Sequence, residues 1–195
     1  MNFSKPIDMP RGTHYGNNYY LVYSKKIHRT CRFYSNLEYY NFLSLEINPK
    51  IEKFCEQPVK IEIIQENKIQ HAIIDMWVLY RDGREEFQEV KYTSELTGDS
   101  AEVIRSQEQI RRERLWCTEN NIDLVIRTEK NISQGRFFLN NANTIAARLR
   151  RYTPTEDEFY NPKVMNVLEK YKKISVKDLI NNGLLPIHSE IDHLC

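Results

Sequence analysis

Apolar positions along this chain fall into short alternating or continuous runs broken by polar punctuation, with a few stretches at helical spacing. Tyr19 to Tyr23 and Lys26 to Phe33 read as two short strands, the second rich in basic residues. Ser35-Asn36-Leu37-Glu38 has the form of a capping box, and Leu37, Tyr40, Leu43 and Ile47 follow at helical spacing. A helix from Ser35 to about Ile47 is predicted, stopped by Asn48-Pro49. Three strands come next: Val59 to Gln65, Ile69 to Tyr80 (long enough to hold a bulge) and Glu86 to Tyr92. Arg81-Asp82-Gly83-Arg84 makes the hairpin turn between the last two, because Asp-Gly tolerates positive φ. Ala101 to Asn121 reads as a long charged helix, with Val103, Ile104, Ile110, Leu115 and Trp116 as its buried side. Ile122 to Thr128 is a buried-looking strand, and Asn140 to Tyr152 a helix containing Ile145 and Leu149.

Antiparallel hairpins leading into a strand–helix–strand crossover imply an α/β protein with a mixed sheet covered by helices. Met1 to Gly16, with two prolines and two glycines, reads as an N-terminal arm. Thr153-Pro154-Thr155 suggests a boundary between a main domain, 1–152, and a small helical region, 153–195. That tail is too short for a robust core of its own and suits docking on the main domain or a partner.

Composition narrows the class. The 195 residues are 41% hydrophobic and 28% charged, so a packed core is expected. Net charge is only +1, which argues against strong unaided DNA binding. The first 33 residues are locally basic: Lys5, Arg11, Lys25, Lys26, Arg29 and Arg32 face only Asp8. Cys31, Cys55, Cys117 and Cys195 are scattered, which gives a zinc site no support. No apolar run approaches the ~20 residues of a membrane span. No membrane partner, free thiols and a cytoplasmic location are the default expectation.

The candidate chemistry sits around one hairpin. Asp75 interrupts the apolar run Ala72-Ile73-Ile74-Asp75-Met76-Trp77-Val78, where a carboxylate is costly unless paired or bound to a cation. Past the turn, Glu89 and Lys91 share one face of a strand while Val90 points into the core. Two carboxylates facing each other across neighbouring strands suit a hard cation such as Mg2+, with Mn2+ as a substitute. Such an ion shields a phosphate and activates a water. Lys91 beside it would orient or deprotonate that water, or neutralise charge building on the phosphorane. Glu38 could add a third carboxylate.

Each residue also has a plainer reading. Glu-x-Lys is common as a cross-strand ion pair. Glu38 sits where a capping box needs it, with its carboxylate on the backbone of Ser35; Glu46 is a weaker rival for the acidic role. Gln57 either lines the cleft or ends a loop, and Gln88 faces the other way and is structural. His28, Arg29 and Arg32 either meet phosphate or form a solvated basic strand. Arg105, Arg111, Arg112 and Arg114 interleave with Glu102, Glu108 and Glu113, which reads as a salt-bridged exposed face. His188 and His193 read as surface residues.

The set Asp75, then Glu89-Val90-Lys91, resembles the D…(D/E)-x-K signature of the restriction-endonuclease-like nucleases. Ser35-x-x-Glu38 opening a helix, Pro49, Phe54-Cys55-Glu56-Gln57-Pro58 before a strand, and Val125-Ile126-Arg127-Thr128-Glu129 after a helix look more specifically like the TnsA endonuclease subunit of heteromeric, Tn7-like bacterial transposases. The resemblance spans roughly Tyr19 to Arg150. It implies a restriction-endonuclease-like fold and an Mg2+-dependent DNA endonuclease that hydrolyses the 5′ strand at transposon ends. It also implies a TnsB-like transposase and a TnsC-like ATPase as partners. Carried over, the acidic helix residue falls on Glu38, the metal aspartate on Asp75 and the lysine on Lys91; Glu89 and the Val90 backbone carbonyl complete the metal set. Ile74 stands where the family commonly has a proline. Two alternatives stay open on the sequence: a stand-alone phage or restriction-type nuclease, and a non-catalytic assembly module of the same fold.

Overall fold

A computed structural model describes residues 3–9, 18–65, 68–133 and 135–151, with positions 166, 167, 169, 170 and 178 beyond them. The chain divides into two units, Met1–Arg150 and Arg151–Cys195. The expected helices of the second unit, with Cys195, His188 and His193, lie almost wholly outside the described residues, as does Arg11.

The first unit is built on a four-stranded mixed sheet. Strands β1 (Tyr20–Ser24) and β2 (Arg29–Phe33) form a separate antiparallel hairpin, followed by helix α1 (Asn36–Glu46). Then come β3 (Ile51–Glu56), β4 (Lys60–Gln65), β5 (Lys68–Ile73), β6 (Met76–Tyr80) and β7 (Glu85–Val90). Helix α2 (Ala101–Glu119), β8 (Asp123–Arg127), the short α3 (Glu129–Ile132) and α4 (Phe138–Arg151) follow. The main sheet runs β3-β6-β7-β8, and β4-β5 pair apart as a second hairpin. β7 and β8 are parallel and joined across α2; the other pairs are antiparallel.

Period-two alternation sorts side chains onto the two faces of the sheet. Phe54, Met76 and Val78 pack with Phe42, Leu43 and Leu45 of α1, Cys31 and Phe33 of β2, and Ala142 and Ala146 of α4. Cys55, Trp77 and Phe87 face the other way, against Cys117 and Trp116 of α2. Phe3 of the N-terminal arm packs into this second layer, edge-on to Phe87 at 5.1 Å between ring centroids.

Four sequence expectations are corrected. The long strand Ile69 to Tyr80 is two strands in two different pairings, broken at Ile74-Asp75. β3 was not anticipated: Glu52, Lys53 and Glu56 break its apolar pattern, and its fit is set by pairing with β6. On α2 the buried stripe is Val103, Ser106, Ile110, Glu113 and Cys117. Ile104 and Leu115 are exposed, because the heptad-like spacing runs through two polar residues. β8, expected to be buried, is a half-buried edge strand. Helix α4 forms as expected, with Ala142 and Ala146 on its buried side.

Candidate active site

The turn at Gly83, with φ of +86°, folds β6 onto β7 so that Met76 pairs with Gln88. Asp75 and Glu89 flank that pair and come to the same end of the hairpin. Asp75 is no longer strand: its backbone bends as the chain passes from the β4-β5 hairpin into the main sheet. One backbone N–H holds the bend and another holds the side chain. Gln57 N–H donates to Asp75 O at 2.9 Å, and Val90 N–H donates to Asp75 Oδ2 at 2.8 Å. The carboxylate is therefore aimed by the residue next to Glu89. Val90 packs with Leu37 and Ile132, which fixes the strand end from the opposite face.

Glu89 is fully buried. Its Oε1 accepts from Lys91 Nζ at 3.0 Å and from Gln109 Nε2 at 2.9 Å. Its Oε2 is buried with no hydrogen-bond partner. The same Gln109 amide donates to Glu113 Oε1 at 2.8 Å, and Glu113 is also fully buried with a second oxygen unpartnered. Glu38 is half-buried; its Oε2 accepts from Tyr34 N–H at 3.2 Å and from Gln57 Nε2 at 3.3 Å, and its own N–H donates to Ser35 Oγ. The cap at Ser35 is thus real, but the carboxylate reaches Tyr34 rather than Ser35 and also meets the cleft. That cleft, of ≈ 280 Å³, is lined by Glu38, Asp75, Gln57, Gln109 and Tyr34, with Lys60 and His71 from the β4-β5 hairpin.

The electrostatics are those of carboxylates sharing too little positive charge. Burial raises the Glu38 carboxyl to about 7, with the charge of Asp75 adding to it. Burial raises Glu113 to about 7 against the bond from Gln109, and Asp75 adds to the rise. Asp75 is raised by burial although Lys91 and the Val90 N–H oppose this. Glu89 is raised most, by burial and then by Asp75 and Glu113. For Lys91, burial works against the charge, but Glu89 and Asp75 outweigh it and hold the ammonium above its usual range. Lys91 is a donor here, not a base.

Among the described residues no three His, Cys, Asp or Glu side chains already stand in a metal-holding arrangement. Lys91 and Gln109 cover Glu89 Oε1, and Val90 N–H covers Asp75 Oδ2. The donor set still fits a hard cation. It is all oxygen, it is short of positive charge, and Glu89 Oε2 is buried without a donor.

The structure brings Asp75, Glu89, Val90, Lys91, Glu38 and Gln57 together. Gln57 holds a left-handed backbone, φ +39°, while its side chain meets Glu38, so it is cleft-lining rather than a mere loop end. Arg29 does not join them: its guanidinium grips buried Glu56 through two bonds of 2.6 Å. Arg32 is exposed beside Asp8 of the arm, at 3.6 Å. Glu46 is satisfied by Ser24 Oγ and Lys25 N–H and sits outside the cleft. Gln88 lies in a separate buried network with Asn41 and Glu86. Arg105, Arg111 and Arg112 do pair with Glu102 and Glu108 along α2. Glu113 is the correction on that helix, since it is buried in the site and has no arginine partner among these pairs. The signal was available in part: Val103, Ser106, Ile110, Glu113 and Cys117 keep a constant face.

Among the described residues no helix is long and apolar enough to cross a membrane. No curated protein matches the chain. Residues 48–129 match the family model described as the TnsA-like endonuclease N-terminal domain, a stretch that runs from the end of α1 through β8 and contains Asp75, Glu89, Lys91 and Glu113. The mixed sheet flanked by helices agrees with a restriction-endonuclease-like fold, and the matched segment is similar to the TnsA-like endonuclease N-terminal domain.

Proposed function

We propose that the protein is the metal-dependent DNA endonuclease subunit of a heteromeric, Tn7-like transposase, hydrolysing the 5′ strand at transposon ends. One observation carries the reading. A buried, under-compensated group of carboxylates and one lysine gathers at the end of the β6-β7 hairpin, inside the segment that matches the TnsA-like family.

Asp75, Glu89 and the Val90 carbonyl would hold Mg2+, or Mn2+ in its place, with Glu38 completing the acidic set. When bound, the ion offsets phosphate charge and lowers the pKa of a water. The protein's own residues supply the rest. Lys91, kept cationic between Glu89 and Asp75, donates to the scissile phosphate or orients the attacking water. The Gln57 amide and the Tyr34 N–H hold the Glu38 carboxylate on the cleft side, where it faces Asp75. Attack on one phosphodiester leaves a 3′-hydroxyl and a 5′-phosphate. The near-neutral charge of the chain suits a subunit that receives its DNA from a TnsB-like transposase under control of a TnsC-like ATPase.

A plasmid-nicking assay with candidate transposase partners, a transposon-end substrate and Mg2+ tests this. Cleavage is expected for the wild type with partners and not for Asp75→Ala or Lys91→Ala. Unchanged cleavage by both variants overturns the assignment, and full activity of the purified chain on plain plasmid overturns the subunit role.

A further inference from the structure

Helix α2 carries two residues, Gln109 and Glu113, that the hairpin chemistry does not by itself require. They are one turn apart and both face β7. Gln109 Nε2 donates to Glu89 Oε1 at 2.9 Å and to Glu113 Oε1 at 2.8 Å. Two carboxylates on one amide nitrogen consume both of its hydrogens. They also decide which way round the amide sits, since the reversed amide would set its carbonyl oxygen against both. Glu89 Oε1 then carries two donors, Gln109 and Lys91, while Glu89 Oε2 is buried with none. Around it stand the Asp75 and Glu113 carboxyl groups, both within hydrogen-bond reach of Glu89, and a fully buried oxygen in such company is costly unless a shared proton or a cation completes it.

Resting on the metal-dependent reading above, we infer that Gln109 and Glu113 are positioning residues for Glu89: Glu113 orients the Gln109 amide, and Gln109 with Lys91 holds Glu89 Oε1 so that Oε2 is the oxygen offered to the cation. Glu113 acts through Gln109 and is not itself a ligand. Removal of such outer partners lowers metal affinity by about 10–100-fold in known sites.

The roles separate in calorimetric titrations of the full-length protein with Mn2+ alone, with circular dichroism and thermal melting as controls for folding. Wild type and Asp75→Ala are measured first, to define the Asp75-dependent binding event. Gln109→Leu and Glu113→Leu are expected to weaken that event about tenfold. Glu113→Gln is expected to bind Mn2+ near the wild-type level, because a glutamine oxygen at this position still accepts from Gln109. Wild-type affinity in both leucine variants overturns the positioning role and leaves the metal site intact. Equal loss in Glu113→Gln and Glu113→Leu also overturns it, by making Glu113 a ligand. Absence of any Asp75-dependent binding in the wild type overturns both this inference and the metal-dependent reading beneath it. Should a leucine variant fail to fold, Gln109→Glu replaces it: a carboxylate there cannot donate to Glu89, so Mn2+ binding falls if the role is positioning and holds if it is not.

Discussion

Two glutamates, Glu56 and Glu89, lie on strands of one sheet, and both are fully buried. Glu56 has both oxygens gripped by Arg29 at 2.6 Å, and Arg32 N–H adds a third donor at 3.3 Å. Glu89 has one oxygen covered and the other bare, with Asp75 and Glu113 as its acidic neighbours. The first is a closed account in which charge, geometry and hydrogen bonds are all met, and its effect is to tie the β1-β2 hairpin to β3. The second is left short of positive charge. Burial alone therefore does not mark a site; burial with incomplete compensation does. Glu46, satisfied by Ser24 and Lys25, falls on the structural side of the same line.

The contrast can be broken at either end. The largest effect is expected from Arg29→Met, which strands the Glu56 charge and should cost about 3–5 kcal/mol of stability in urea unfolding. Mn2+ binding by the fraction still folded should be unaltered; a loss of under about 1 kcal/mol would show that Glu56 is not a closed pair. Next, Lys91→Ala should lower cleavage by about 10²–10³-fold, with a smaller loss of stability than Arg29→Met because Glu89 can take up a proton where Glu56 lost its charge partner. A large fall in stability with little loss of activity would place Lys91 with Arg29 instead.

Smaller is the gain expected from Glu89→Gln. Removing one member of a mutually repelling set should stabilise the metal-free protein by about 1 kcal/mol above neutral pH, at the expense of activity. A loss of stability would show that Glu89 is compensated after all. The same logic gives a pH dependence. Glu38 and Glu113, each pushed up to about 7, and Asp75 and Glu89, also raised, keep protons in the folded state that the unfolded chain has released. That contribution is full below the ordinary carboxylate range and is lost as pH rises through the raised values. Metal-free stability should therefore fall between about pH 5 and about pH 8, and Mg2+ should flatten the decline. A melting temperature that rises over that window without metal would contradict it. Least affected is the exposed side of α2: Glu108→Ala removes its pair with Arg111 and should cost no more than about 0.5 kcal/mol.

Much of the hairpin geometry was legible because it is local. Asp82-Gly83 sets the turn, the period of two sets the faces, and the spacing from Asp75 to Glu89-Val90-Lys91 then follows. The helix start at Ser35 was legible for the same reason, since a cap is a contact over three residues. Glu113 was not. Among Arg111, Arg112 and Arg114 it looks like one more surface charge, and only the packing of α2 across β7 shows that it faces inward. Arg29 was misjudged in the opposite sense, because its partner lies 27 residues away on another strand.

The amino-acid order alone therefore determined the hairpin, its cap-bearing neighbour and the residues that gather at the hairpin's end, all of which depend on contacts within a few residues or across one tight turn. Tertiary packing decided the break that turns Asp75 out of a strand, the insertion of β3 beside β6 and the assignment of each buried charge to scaffold or to site. The physical reason is that a buried charge is defined by what surrounds it, and here those surroundings come from strands and helices far apart in the chain.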